Sequence, residues 1–370
     1  MKPAAPRWAH VDALKAVACQ LIVLHHLAFY GPMSDTAAEL APELIGWLSQ
    51  HARVAVQVFL VLGGFLAARS LAPQARLKPG VAPWELLGDR YARLVLPYAA
   101  MLLISIAASA LAREWMDHDS ISDPPRLGQL LAHLLLLHDL LGVEALSAGV
   151  WYVAIDFQLY AMLLALLVLA RRLEQGEGRP QRRYLAPVLV LLGVAAALLY
   201  FNLEPDWAVW APYFFGAYGL GVLAGWWTAP RLRLMPLAAL ALLVGVALLI
   251  EFRTRIAVAA AVALLLALLQ WRPQWVPRAD GRLGRLTAAI SRSSYGVFLV
   301  HFPVCLVVNA AFTEFVPAEP VPQALGMLVA WGASMVAGAL FHRHVEQRAM
   351  AWVAARRARV QGHSGSFRTR

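Results

Sequence analysis

The feature that most constrains this chain is a series of apolar runs, each close to the thickness of a bilayer. Ten can be read, at roughly 14–30, 53–71, 94–112, 150–170, 184–200, 211–227, 235–250, 256–270, 294–312 and 324–341. A run of about 18 or more apolar residues reads as a transmembrane helix, because only a helix satisfies its own backbone in hydrocarbon. No run alternates with period two, which argues against a membrane β-barrel. The expected fold class is therefore all-α: a polytopic membrane protein of about ten transmembrane helices. Composition agrees, with 60% hydrophobic residues, 15% charged residues and a mean hydropathy of +0.60 over 370 residues. Soluble domains are about half apolar and a quarter charged.

A further apolar stretch, 127–146, carries His133, His138, Asp139 and Glu144. It reads as an interfacial or partly buried helix on the outer side. The seventh and eighth runs are joined only by Glu251-Phe252-Arg253-Thr254-Arg255.

The net charge is +10, from 32 Lys and Arg against 22 Asp and Glu. With both termini placed in the cytoplasm, 27 of those 32 basic residues fall on inner segments. The exceptions are Arg53, Arg113, Arg126, Arg253 and Arg255. Such a bias sets orientation, so both termini are expected inside and the basic charge needs no nucleic-acid partner. The basic N-terminus leads into an apolar run with no small-residue cleavage site, so the first run reads as a retained span. The domain expectation is a membrane domain over 1–345 and a basic cytoplasmic tail over 346–370. That tail reads as helical along the inner surface until its last nine residues, which read as disordered. Cys19 and Cys305 lie inside apolar runs and suggest neither a metal site nor a disulfide framework.

Ionisable groups inside spans are costly, and each is a candidate functional residue. Asp12-x-x-Lys15 precedes His25-His26 in the first run. Lys15 and His26 are eleven positions apart, about three turns and ~16 Å along one face. A cation at the inner boundary with an imidazole deeper in suits an anionic donor entering from inside. His25 and His26 point about 100° apart, so only one of them is expected to face a site. Arg90-x-x-Arg93 places two guanidinium groups on one helix face, suited to phosphates or carboxylates, although basic anchoring alone would account for them. Asp156 enters the fourth run about one turn from the outer side and needs a partner there. Trp151 and Tyr152 read as an interfacial aromatic belt. His301 lies deep in the ninth run. For each of these a structural contact between helices is the competing explanation.

In order along the chain, these pieces resemble the acyltransferase-3 family of integral membrane acyltransferases, which O-acylate cell-envelope and secreted glycans. VDALKAVACQLIVLHH is similar to its Asp-x-x-Arg element, then ten intervening residues, then His, which falls on His26. VFLVLGGFLAARSL is similar to its Phe-x-Val-x-Ser-Gly-Phe segment, and RYARLVLP matches Arg-x-x-Arg-x-x-x-Pro. WYVAIDFQLYAM resembles Trp-x-x-x-x-Glu-x-x-x-Tyr, SYGVFLVHFPV resembles Ser-Tyr-x-x-Tyr-Leu-x-His-x-Pro, and FHRHVEQ resembles a closing His-x-x-x-Glu. Lys15 stands where the family usually has Arg, Gly63 where it often has Ser, and Asp156 where it has Glu.

The resemblance implies an acyl-CoA donor, with acetyl-CoA the default, and no tightly bound cofactor or metal. It implies a glycan or lipid-linked saccharide acceptor, and a multi-pass protein of the inner (plasma) membrane. Lys15, Arg90 and Arg93 would receive the donor. His26 would act as general base or acyl carrier, with Asp156, His301 and His25 as further catalytic candidates. No soluble domain follows the last span, so the membrane domain is expected to act alone or hand its product on. A transporter of a small anionic or glycan substrate is the alternative; no inverted repeat supports it.

Overall fold

The structure is a computed structural model that describes residues 8–80, 82–174, 184–226, 234–276 and 281–366. Among the described residues there are helices and connections but no strand. In chain order the helices are α1 Ala9–Phe29, α2 Pro32–Ala37, α3 Pro42–Gln50, α4 Ala55–Leu71, α5 Pro83–Ala112, α6 Leu127–Leu134 and α7 Val150–Glu174. They continue as α8 Leu185–Leu199, α9 Ala211–Trp226, α10 Leu234–Ile250, α11 Thr254–Trp271, α12 Arg282–Phe315, α13 Pro320–Phe341 and α14 Gln347–Ser366.

Each of the ten expected spans falls on a helix. Among the described residues, eight helical segments are long and apolar enough to cross a membrane. The described parts of α9 and α10 are shorter, at 16 and 17 residues. At 1.5 Å per residue, α9 covers about 24 Å. Of the basic residues assigned to the inner side, Lys2, Arg7, Arg179, Arg182, Arg183, Arg231, Arg233, Arg278, Arg368 and Arg370 lie outside the described residues. The helix of the tail runs on to Ser366, into the stretch expected to be disordered; residues 367–370 lie outside the described ones.

The chain divides into two compact units. The first comprises Met1–Gln20, Arg53–Pro83 and Ala154–Ser291; the second comprises Leu21–Ala52, Trp84–Val153 and Arg292–Arg370.

In the first unit α4 and α9 cross backbone against backbone. A Cβ added to Gly64 would overlap the Tyr218 carbonyl, and one added to Gly221 would overlap the Val61 carbonyl. Helices in lipid have little hydrophobic drive to associate, so small residues that admit close packing take over that role. Trp226 Nε1 donates to the Ala72 carbonyl at 2.7 Å, where α4 ends. The Arg69 guanidinium lies 3.9 Å from the Trp8 ring centre and donates to Gln270 Oε1 at 3.0 Å. Arg253 and Arg255, two exceptions to the inside bias, have structural work. Arg253 donates to Leu198 O at 2.9 Å, Ala247 O at 3.3 Å and Asn202 Oδ1 at 2.9 Å. It thereby serves carbonyls near the ends of α8 and α10, where helical donors run out; the Ala247 carbonyl also accepts the Glu251 N–H at 3.2 Å. Arg255 donates to Tyr213 Oη and to Asn202 O.

In the second unit α12 and α13 cross the same way. A Cβ on Gly338 would overlap Val297, and one on Gly296 would sit 2.7 Å from the Gly338 carbonyl. Beyond α13 the helix continues without a break through a π turn, His342–Glu346, into α14. That turn pairs His342 Nδ1 with Glu346 Oε2 at 2.8 Å.

The 127–146 stretch is not a span. Its helix α6 has eight residues, about 12 Å of rise. It folds back along α5: Arg113 donates to Ser122 O, and twenty-two residues earlier on the same helix Tyr91 Oη donates to Leu134 O at 2.7 Å. Beyond α6 the chain turns through Leu136 and Gly142, both with positive φ, and Leu146 N–H returns to His133 Nε2 at 3.1 Å.

Candidate functional site: a pair of imidazoles

His26 sits in the last turn of α1, and His301 lies in the middle of α12. Both belong to the second unit. His26 Nδ1 lies 2.6 Å from His301 Nε2, and the rings are nearly coplanar in orientation, 18° apart. His301 is fully buried and its Nδ1 lies 3.0 Å from the Val297 carbonyl, one turn back on α12. His26 is only half-buried, so it keeps an accessible edge that His301 lacks.

Aromatic rings wall the pair. Tyr30 meets His26 edge-on at 5.4 Å between centres and Phe302 at 6.3 Å. Phe298 lies 6.2 Å from His301 and is met edge-on by Tyr152 at 5.4 Å. Tyr152 is thus a second layer of this wall, beyond the belt role expected of it. On the remaining side Gly149 adopts φ +82°. A Cβ there would stand 3.2 Å from Phe298 Cζ and 4.0 Å from His26 Cε1. Only glycine takes that backbone readily, and its lack of a side chain leaves room beside His26.

The neighbouring His25 has a different task. Its Nδ1 donates to the Leu48 carbonyl at 3.0 Å, joining α1 to the end of α3 beside the apolar group Ala28, Leu48 and Ala52. The two histidines have different partners: His26 pairs with His301, while His25 anchors α3.

Arg90 and Arg93 lie on α5 in the same unit. Arg93 is exposed and Arg90 half-buried. Next to them Asp89 pairs with Arg357 of α14 at 3.8 Å, and Tyr295 Oη of α12 donates to the Leu94 carbonyl at 3.1 Å. Pro97 follows inside the helix, and its missing N–H leaves the Arg93 carbonyl without the usual helical donor. The arginine pair therefore stands on a helix tied at its base by Tyr295.

Lys15 and Asp156 belong to the first unit. Lys15 is half-buried on α1, one turn after Asp12, whose Oδ1 accepts from Ser291 Oγ at 2.6 Å. Asp156 is buried in α7 beside α4: a Cβ built on Gly63 would lie 3.7 Å from Asp156 Oδ1 and 3.4 Å from the Tyr218 ring. A serine at position 63 would fit there with its hydroxyl near the carboxylate. Among the described residues no three His, Cys, Asp or Glu side chains gather as a metal site.

An accessible imidazole held by a buried one, walled from water by rings, can take a proton from a hydroxyl or carry an acyl group. The comparison with known proteins agrees with that chemistry. The acyltransferase-3 family profile, described as an acyltransferase domain, matches residues 8–344, nearly the whole chain. The chain belongs to the acyltransferase-3 family. No curated protein and no solved structure matches it. As an acyltransferase-3 protein it is a membrane-embedded, multi-pass acyltransferase.

Other elements of the acyltransferase-3 pattern gain a structural account. The Ser-Tyr start of the α12 motif supplies Tyr295, and the closing His-x-x-x-Glu is the His342–Glu346 pair of the π turn. Three contributors had no clear signal in the sequence. Gly149 lies at the boundary of the fourth expected span and Phe298 inside the ninth. Asn309, 2% exposed, is an amide inside the same apolar run as Phe298.

Proposed function

We propose that this acyltransferase moves an acyl group, acetyl by default, from cytoplasmic acyl-CoA to a hydroxyl of a cell-envelope or exported glycan, lipid-linked or free. The observation that supports it best is the His26–His301 pair inside an acyltransferase-3 domain. A sugar hydroxyl is a weak nucleophile at neutral pH and needs a base at the moment of attack. His26 has the accessible imidazole for that. In the base route the hydroxyl proton passes to His26 as the oxygen attacks the thioester carbonyl. The carbon–sulfur bond then breaks, and the proton returns to the departing CoA sulfur. In the carrier route the imidazole nitrogen attacks the thioester, the carbon–sulfur bond breaks as CoA thiolate leaves, and the acceptor hydroxyl then displaces the imidazole from the acyl carbon, its proton ending on the CoA sulfur.

The CoA end carries phosphates, for which planar guanidinium forks are the best protein partners. Arg90 and Arg93 are assigned that role, and Lys15 is assigned to the donor as a further cation. Asp156 is assigned to the acceptor hydroxyl or to charging an imidazole. The bias of basic residues supports a reading with both termini in the cytoplasm, and the family resemblance supports the plasma membrane as the site.

The test is to supply labelled acetyl-CoA to inverted membrane vesicles with and without this protein. Alkali-labile label in the glycan or lipid-linked saccharide fraction that depends on the protein supports the reading. Label that stays in acetyl-CoA, with substrate flux in proteoliposomes, would instead favour a transporter.

A further inference from the structure

We infer that His301 is a positioning residue that fixes which nitrogen of His26 reacts. The inference rests on His26 acting in acyl transfer, and it adds the atom and the device that selects it.

The chain of contacts runs outward from one carbonyl. The Val297 carbonyl can only accept, so His301 Nδ1, 3.0 Å away, carries a proton. His301 is fully buried, walled by Phe298 and by the His26 ring. A charged imidazolium there would be costly, so the neutral ring is the resting form and its Nε2 holds a lone pair. That lone pair lies 2.6 Å from His26 Nδ1. His26 Nδ1 must then be the donor, and His26 Nε2 is left as the free lone pair. The backbone of α12 thus sets the tautomer of His301, which sets the tautomer of His26.

The consequence for the reaction is specific. The reacting atom is His26 Nε2, in either the base or the carrier route. When Nε2 takes the hydroxyl proton, the positive charge of the His26 ring is shared through Nδ1–H with the His301 lone pair. As the thioester carbon–sulfur bond breaks, the Nε2 proton goes to the leaving sulfur and both rings return to neutral. A second imidazole here does the orienting that a carboxylate does in many His-dependent enzymes, without placing a fixed negative charge in an apolar interior.

Three substitutions of similar volume separate this role from packing. His301→Gln sets an amide oxygen about where Nε2 stood and keeps an acceptor for His26. His301→Asn can keep the Val297 bond but offers His26 nothing, and His301→Leu fills the volume with no acceptor. With labelled acetyl-CoA in membranes, kcat is expected to fall ~10²–10⁴-fold in His301→Asn and His301→Leu, and by ~10-fold or less in His301→Gln. KM for acetyl-CoA should stay within about threefold, because the lost interaction is made in the transition state. Equal activity for Leu and Gln, or a loss confined to KM, overturns the positioning role. If a variant fails to accumulate, the ring carbon and nitrogen NMR shifts of the wild type, compared with His26→Ala, report the tautomers directly. An Nε2–H form of His301 would refute the relay. Failure of the underlying reading looks different: there His26→Ala itself keeps full activity.

Discussion

The Asn309 side chain donates to the Tyr30 carbonyl at 3.3 Å, joining the helix that carries His301 to the turn just past His26. The same side chain accepts the Met33 N–H at 3.3 Å and donates back to Cys305 O at 3.1 Å. Gly31 makes the turn with φ +115°, and a Cβ there would stand 2.5 Å from Asn309 Oδ1. One buried amide therefore holds two helix segments in the register that puts the two imidazoles together. Asn309→Leu leaves the Met33 N–H and Tyr30 carbonyl without this partner and is expected to cost about 1–3 kcal/mol. Thermal unfolding in detergent should show the loss, along with reduced acyl transfer. An unchanged midpoint would show that the register does not depend on this residue.

The crossing of α4 and α9 predicts a sharp asymmetry among glycines. Gly64→Ala or Gly221→Ala forces a methyl group into a facing carbonyl, and the helices must part. Each should destabilise by about 1–3 kcal/mol or more. Gly332→Ala in α13 meets nothing within 4 Å and should be neutral or gain up to ~1 kcal/mol. Parallel melting curves check this; equal effects at all three positions would contradict the backbone contact.

The folded-back segment beyond α5 predicts a pH response. His133 Nδ1 donates to Gln129 O at 2.9 Å and Nε2 accepts from Leu146 N–H at 3.1 Å, which only a neutral ring can do. His138 stacks on it at 4.2 Å between centres. Burial pushes both rings from the ordinary 6.5 down to about 4, despite Asp139 and Glu144 beside His133. The unfolded segment takes up these protons near pH 6.5 and the folded one only near pH 4. The stability they contribute is therefore whole above about pH 6.5 and lost as pH falls toward about 4. Asp139, pushed up by burial, works in the opposite sense at the acid end. Hydrogen exchange over residues 127–146, corrected for intrinsic rate, should show protection falling across that window. Protection that is flat with pH would contradict it.

The arginine pair predicts a KM effect. Arg90→Ala and Arg93→Ala should each raise KM for acetyl-CoA by ~10-fold or more, as loss of a charge-assisted contact does. Arg93→Lys should recover only part, because the planar fork is gone. A fall in kcat with KM unchanged would move these residues out of the donor site.

Much of the fold was legible because hydrocarbon leaves a helix few alternatives: each expected span became a helix, and His26, His301 and Asp156 stood out as polar groups in apolar runs. The distinction between His25 and His26 was not legible. It depends on Leu48, twenty-three residues away, offering a carbonyl to one of them. The 127–146 segment, read as an interfacial or partly buried helix, holds a short helix that folds back on α5 and is not a span. Its apolar content has the magnitude of a span, yet Leu127, Leu131, Leu135 and Leu141 stay exposed, and local sequence does not say which surface an apolar face will cover. Asn309 acts through the turn at Gly31 and Gly149 through its own positive φ, and periodicity carries no trace of either.

The most direct measurement is acyl transfer from labelled acetyl-CoA by membranes carrying His26→Ala and, in parallel, His25→Ala, each normalised to the amount of inserted protein. Loss of ~10²–10⁴-fold in His26→Ala is expected, the usual range for removing a positioned acid–base group. His25→Ala should lose stability through the Leu48 contact while keeping most of its rate per folded molecule. Full activity in His26→Ala at normal protein levels would contradict the assignment of this imidazole as the acting group.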